Sequence, residues 1–218
     1  MILTIATEKG GSGKTTVSTN LAACFAHAAK TVVLVDADPQ ESSATWAEMR
    51  SADYSELPRV DCEVIRGDGM TRKIRALADR YDVVIVDVAG TDSVDFRQAI
   101  GAADGLLVPV RPSFVDAWSV GRMAAIIDDV GDMSRRKIPV LALINAGDTH
   151  PNSVENRELK SLLESIEGFT LGKATLKDRK AYKRALGEGL GVIERESADK
   201  LATLEINHLM KELLKWRK

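Results

Sequence analysis

The chain begins Ile2-Leu3-Thr4-Ile5-Ala6 and continues, from residue 8, Glu8-Lys9-Gly10-Gly11-Ser12-Gly13-Lys14-Thr15-Thr16. The apolar run has the composition of a buried first strand, and the segment after it is a phosphate-binding loop. Gly10, Gly11 and Gly13 carry no side chain, so the backbone around Ser12 can curl and aim successive N–H groups at phosphate oxygens. The helix that starts next adds the partial positive charge of its N-terminus. Lys14 then supplies a point charge to the β- and γ-phosphates, the Thr15 hydroxyl is placed to ligate Mg²⁺, and Thr16 reaches the α-phosphate. The plain nucleotide-loop pattern asks for a glycine six places before the lysine. Here that place holds Glu8, and a second lysine, Lys9, follows it.

With Lys9 and Lys14 both present, the segment resembles the deviant Walker A motif of the ParA/MinD family of P-loop ATPases. The resemblance implies a protein that dimerises on ATP, with Lys9 reaching across a nucleotide sandwich to the partner's phosphates. Read without the family, the alternative for Lys9 is a solvated surface lysine. Two further stretches test the likeness. Val32-Val33-Leu34-Val35-Asp36-Ala37-Asp38-Pro39-Gln40 is an apolar run suited to a strand buried on both faces, closed by two carboxylates and a proline that blocks extension. It resembles the family's switch segment, which implies that Asp38 orients the attacking water and that Asp36 sits by Mg²⁺ and its bound waters. Phosphoryl transfer asks little covalent work of the protein, so positioned carboxylates and the cations Lys9 and Lys14 would account for most of the catalysis.

Val83-Val84-Ile85-Val86-Asp87 repeats the pattern, with Gly90, Thr91 and Asp92 suited to a small switch loop. Ligands of open α/β sheets bind outside the carboxyl ends of the strands, which puts Asp87 where Mg²⁺ is expected. It resembles a Walker B aspartate. Asn145 and Pro112, each near the end of an expected strand, lie where relatives place adenine contacts, and each also reads as a strand-end turn residue.

The remaining pattern predicts one α/β domain over residues 1–218, a doubly wound, mostly parallel sheet flanked by helices. Strands are expected near 2–6, 31–36, 60–65, 82–87, 105–110, 138–144 and 169–174. Helices are expected near 15–29, 41–51, 70–80, 94–102, 115–131, 153–166, 178–187 and 198–216. Polar segments 51–59 and 145–153 read as loops. The 44% apolar and 28% charged content is ordinary for a globular protein. Cys24 and Cys62 read as reduced core thiols, which counts against the iron–sulfur reductases that share this loop. Neither a signal peptide nor a membrane-spanning run is expected, which points to the cytoplasm.

Charge is uneven. Residues 171–218 carry 12 Lys and Arg against 7 Asp and Glu, whereas residues 1–170 carry 18 against 25. The densest basic run, Lys177-Asp178-Arg179-Lys180-Ala181-Tyr182-Lys183-Arg184, puts Lys180, Lys183 and Arg184 on one helical face. Lys177, Arg179, Lys180, Lys183 and Arg184 are therefore candidate contacts to DNA phosphates, giving salt-sensitive binding without base recognition. A solvated helix face is the alternative, and Arg135, Arg136 and Lys137 form a weaker patch. Near the end of the chain Leu201, Leu204, Leu209, Leu213 and Trp216 recur at helical spacing beside Lys211, Lys215, Arg217 and Lys218. Such a helix either packs on the sheet or, as in MinD-like proteins, lies on an anionic membrane.

A loop starting at residue 8 leaves no room ahead of it for a helix-turn-helix domain, so the chain resembles the short ParA group. That likeness implies a nucleoid-associated partition or positioning ATPase using ATP and Mg²⁺. Its ATP-bound homodimer would bind DNA non-specifically and be released when an adaptor protein stimulates hydrolysis. A membrane-positioning ATPase and a metabolic ATP-dependent enzyme are the rival readings. The second would need a substrate constellation that His27, His150 and His208 do not supply.

Overall fold

The structure, a computed structural model, describes residues 1–150 and 153–216, with residues 114–117 described by their backbone alone. Strands and helices alternate: β1 (Ile2–Ile5), α1 (Lys14–His27), β2 (Val32–Ala37), α2 (Ser42–Asp53), β3 (Asp61–Val64), α3 (Met70–Leu77), β4 (Val83–Val88) and α4 (Val94–Ala102). The second half continues with β5 (Gly105–Val110), α5 (Phe114–Ser134), β6 (Val140–Gly147), α6 (Val154–Ser165), β7 (Phe169–Lys177), α7 (Lys180–Gly187) and α8 (Lys200–Trp216). The sheet order is β3-β2-β4-β1-β5-β6-β7. Every neighbouring pair is parallel, so the sheet is wholly, not mostly, parallel among the described residues.

Parallel strands joined by helical crossovers are covered on both faces, and the strand sequences obey that demand with a period of two. Val33, Val35, Val84, Val86, Leu106 and Val108 face a layer made by α3, α4, α5 and α6. Val32, Leu34, Val83, Ile85, Leu107 and Leu141 face α1, α2, α7 and α8. Asp36 and Asp87 continue the second series, which aims both carboxylates at the face that carries α1 and α2.

All the expected elements occur, with ends displaced where pairing or packing outweighs local composition. β6 runs on through Asn145 to Gly147, inside the expected loop 145–153, because an irregular register pairs Gly147 with Lys177 of a lengthened β7. Pro151 and Asn152 of that expected loop lie outside the described residues. Likewise α2 continues to Asp53, past the expected loop start at 51. Its Trp46 is fully buried and donates Nε1–H to Leu190 O at 3.1 Å. Arg50 grips Glu194 through two bonds of 2.6 Å, and His27 Nε2 reaches the same carboxylate at 2.8 Å. The segment after α7 is thereby fastened to α1 and α2.

The last helix packs on the sheet. Ala202, Ile206, Leu209, Met210 and Leu213 form its buried stripe, and Trp216 rests on the bare backbone of Gly105, where an added Cβ would come within 2.7 Å of the indole ring. Leu201 and Leu204 stand exposed at 55% and 65%, so the inward face is rotated from the all-leucine stripe. Arg217 and Lys218 lie outside the described residues. Among the described residues no helix is long and apolar enough to cross a membrane. Both cysteines are free, and burial pushes each thiol up to about 12.

Candidate nucleotide site

The carboxyl ends of β1, β2 and β4 meet at one rim, with Ile5 beside Asp87 and Asp87 beside Asp36 in the parallel register. The loop after β1 curls over that rim into α1. Gly13 caps the helix with φ +90°, a conformation that favours glycine. A Cβ there would lie 2.4 Å from Asn145 Nδ2, which donates to Ser12 O at 2.6 Å and so braces the loop from β6. Lys14 is buried, and its ammonium donates to Lys9 O at 3.0 Å. Burial lowers its pKa from the ordinary lysine value, against the opposing charges of Asp87 and Asp38.

The two rim carboxylates are held differently. Asp36 accepts from the Asp38 and Ala44 N–H groups at 3.0 and 2.8 Å, which ties the turn after β2 and the start of α2 to β2. Burial raises its pKa, opposed by these N–H bonds. Asp87 is also buried and accepts from the Ser43 hydroxyl at 2.7 Å through Oδ2, and Thr15 lies near enough to oppose the rise of its pKa. Its Oδ1 has no hydrogen-bond partner among the described residues. A buried, unpartnered carboxylate oxygen beside a threonine hydroxyl fits a hard divalent cation. Among the described residues no group of three acidic, His or Cys side chains could hold a metal. Nucleotide oxygens and water would complete its shell.

Burial pushes the Asp87 carboxyl up to about 6, against hydrogen bonds from Ser43 and Thr15. A folded pKa above the unfolded value means that stability is full at low pH and is lost as pH rises towards 6. Asp87→Asn is therefore expected to stabilise the metal-free protein at pH 8 by about 1–3 kcal/mol, and by nothing measurable at about pH 3. Urea unfolding at the two pH values measures this. The same variant is expected to lose the Mg²⁺-dependent part of its nucleotide affinity.

A cavity of about 450 Å³ opens above the rim, lined by Gly10 to Thr16, Asp38, Gln40, Gly90, Arg111 and Asn145 on one side and by residues 176–179, Tyr182 and Lys183 on the other. The phosphate-loop candidates, Asp38 and Asn145 are thus brought together, with Asp36 and Asp87 beneath them. Pro112 does not line the cavity; its neighbour Arg111 does, donating to Gly11 O at 3.3 Å. Lys9 is half-buried, and its carbonyl also accepts from the Ser12 hydroxyl at 3.4 Å.

The basic run divides. Lys177 donates to Asp148 O at 2.7 Å, Arg179 pairs with Glu205 at 2.8 Å, and Lys183 pairs with Asp178 at 3.5 Å, all three at the cavity wall. Lys180 and Arg184 stand exposed outside the cavity, and Lys183, also exposed, joins the two sets. Three contributors escape a motif reading. Ser43 anchors Asp87, Arg66 donates to Asp38 O at 3.1 Å and pairs with Glu41, and Arg111 touches the loop. Of these only Arg111 carries a sequence signal, as a cation directly after the carboxyl end of an apolar strand.

A wholly parallel sheet with a lysine-bearing glycine loop after its central strand, and aspartates ending two nearby strands, defines a P-loop ATPase. Residues 3–192 match the family model of the CobQ/CobB/MinD/ParA nucleotide binding domain, and the chain belongs to that family. Maintenance of carboxysome distribution protein A from Halothiobacillus neapolitanus is 29% identical over 217 residues, spanning 97% of this chain and 95% of the relative. Protein ParA from Rhizobium radiobacter is 28% identical over 182 residues, 83% of this chain and 80% of the relative. Among solved structures, apo McdA from Cyanothece superposes with a TM-score of 0.76 at 18% identity over 98% of both chains, a likeness of fold.

Proposed function

We propose that this ATPase positions or partitions a cargo: ATP closes a homodimer, the closed dimer binds DNA without reading its sequence, and adaptor-stimulated hydrolysis releases it. The observation that carries the reading is the basic run 177–184, which walls the nucleotide cavity through Lys177, Arg179 and Lys183 and meets solvent through Lys180, Lys183 and Arg184. A change at the phosphates therefore has a direct route to a cationic surface. Lys14 holds the β- and γ-phosphates, Gly10 to Thr16 cradle them, Asp38 orients the attacking water, and Lys9 serves the nucleotide of the partner subunit. Thr15 and Asp87 would hold Mg²⁺, with Asp36 acting through the switch segment and bound water; when bound, the ion offsets phosphate charge. Similarity to a carboxysome distribution protein supports a protein assembly as cargo, joined through an adaptor, and DNA binding would associate the chain with the nucleoid.

Binding to a non-specific DNA duplex without nucleotide, with ADP, and with ATP plus Mg²⁺, each at two salt concentrations, tests the reading. DNA binding is expected only with ATP and is expected to fall steeply with salt. Lys180→Glu combined with Arg184→Glu is expected to weaken it at least tenfold and flatten the salt slope while ATP hydrolysis persists. DNA affinity unchanged by that pair, or indifferent to nucleotide, would remove the basic run from the mechanism.

A further inference from the structure

We infer that the open edge of the sheet at β3, with the groove between β3 and α2, is a docking surface for an extended, lysine- or arginine-rich segment of a partner protein. Among the described residues β3 ends the sheet and pairs with β2 alone. Ile65 N–H donates to Asp36 O on the β2 side at 3.1 Å. Because successive residues of a strand alternate, the N–H groups of Cys62 and Val64 point away from β2, towards the open edge. Unpaired groups on an edge are a template for one more strand. Beside them lies a groove of about 500 Å³, floored by Ala44, Ala47, Cys62 and Val64. Val64 is 46% exposed, an apolar contact left open at the edge.

Charge selects the occupant. Residues 41–68 hold seven acidic and three basic residues. All three arginines are committed: Arg50 to Glu194, Arg59 to Asp61 and Arg66 to Glu41. Glu48 on the groove wall and Glu63 on β3 make no ion pair among the described residues, and the charge of both reaches the Cys62 thiol between them. Cys62 and Glu63 project to opposite faces of the strand, so acid flanks the edge on the α2 side through Glu48 and on the other through Glu63. A strand added there would alternate its side chains between those two faces, and cationic ones complement both. The occupant would lie along α2, whose first turn holds Asp87 through Ser43 and Asp36 through Ala44. This surface extends beyond the proposed DNA cycle, and its readout does not depend on that cycle.

The test is fluorescence anisotropy of a labelled decapeptide of alternating Lys and Val, titrated with the nucleotide-free full chain. Saturable binding is expected, weakened at least tenfold by Glu48→Lys with Glu63→Lys, and lost when the peptide nitrogens on the side that pairs with β3 are methylated. Should charge reversal unfold the chain, Glu48→Gln with Glu63→Gln is expected to weaken binding at least threefold. ATP binding by these variants is expected to stay at the wild-type level, which separates the surface from the nucleotide site. No binding, equal binding by the charge-altered chains, or equal binding of the methylated peptide would overturn the assignment.

Discussion

Gly90→Ala is expected to lower ATP affinity by at least two orders of magnitude, measured by titration calorimetry, while the circular dichroism spectrum stays that of a folded α/β protein. A Cβ at residue 90 would stand 2.5 Å from Lys9 C, 2.6 Å from Gly10 N and 2.6 Å from Lys9 O. All three are backbone atoms of the phosphate loop, so no side-chain rotation relieves the clash, and overpacking of this kind costs about 1–3 kcal/mol or more. The loop has to move, and it carries the Lys9 carbonyl that receives the Lys14 ammonium. The β-sheet core lies below and is untouched. Wild-type affinity in this variant would mean that the loop can shift away from β4 without losing its grip on phosphate.

Lys9→Ala and Lys14→Ala are expected to fail in different ways. Lys14 is buried at the floor of the cavity with Asp87 and Asp38 in electrostatic range, where a single cation opposite phosphate is worth several kcal/mol. Its removal is expected to weaken ATP binding about a hundredfold, roughly 2.7 kcal/mol. Lys9 contributes its carbonyl to the loop, and its backbone packs on Gly90, contacts that alanine preserves. Lys9→Ala is therefore expected to keep ATP affinity within about threefold and to lose adaptor-stimulated hydrolysis by about a thousandfold, the scale of a cation supplied across an interface. Equal loss of ATP binding in both would leave Lys9 without a separate role.

The phosphate loop and the two strand-end aspartates were legible because their chemistry demands particular residues at fixed spacing beside an apolar run. Partners brought in from elsewhere in the chain were not. Ser43 and Asp87 are 44 positions apart and meet only because β2 and β4 are neighbours in the sheet. Arg66 reaches Asp38 O only because β3 returns the chain alongside β2. The partition of the basic run depended on the length of β7, which carries Lys177 into the sheet where local composition ended the strand at 174. In α8, leucines alone define a stripe that folding rotates, because Ala202 and Ile206 belong to the buried set and Leu201 and Leu204 do not.

Lys183 belongs at once to the wall of the nucleotide cavity and to the solvent-facing basic surface. In the proposed cycle that shared cation makes ATP and DNA thermodynamically answerable to each other. Whatever factor ATP contributes to the grip on a polyanion, the polyanion must return to ATP. In the proposed cycle a DNA-loaded molecule would then bind its nucleotide more tightly than one adrift in solution, so the track itself would help decide which molecules stay loaded.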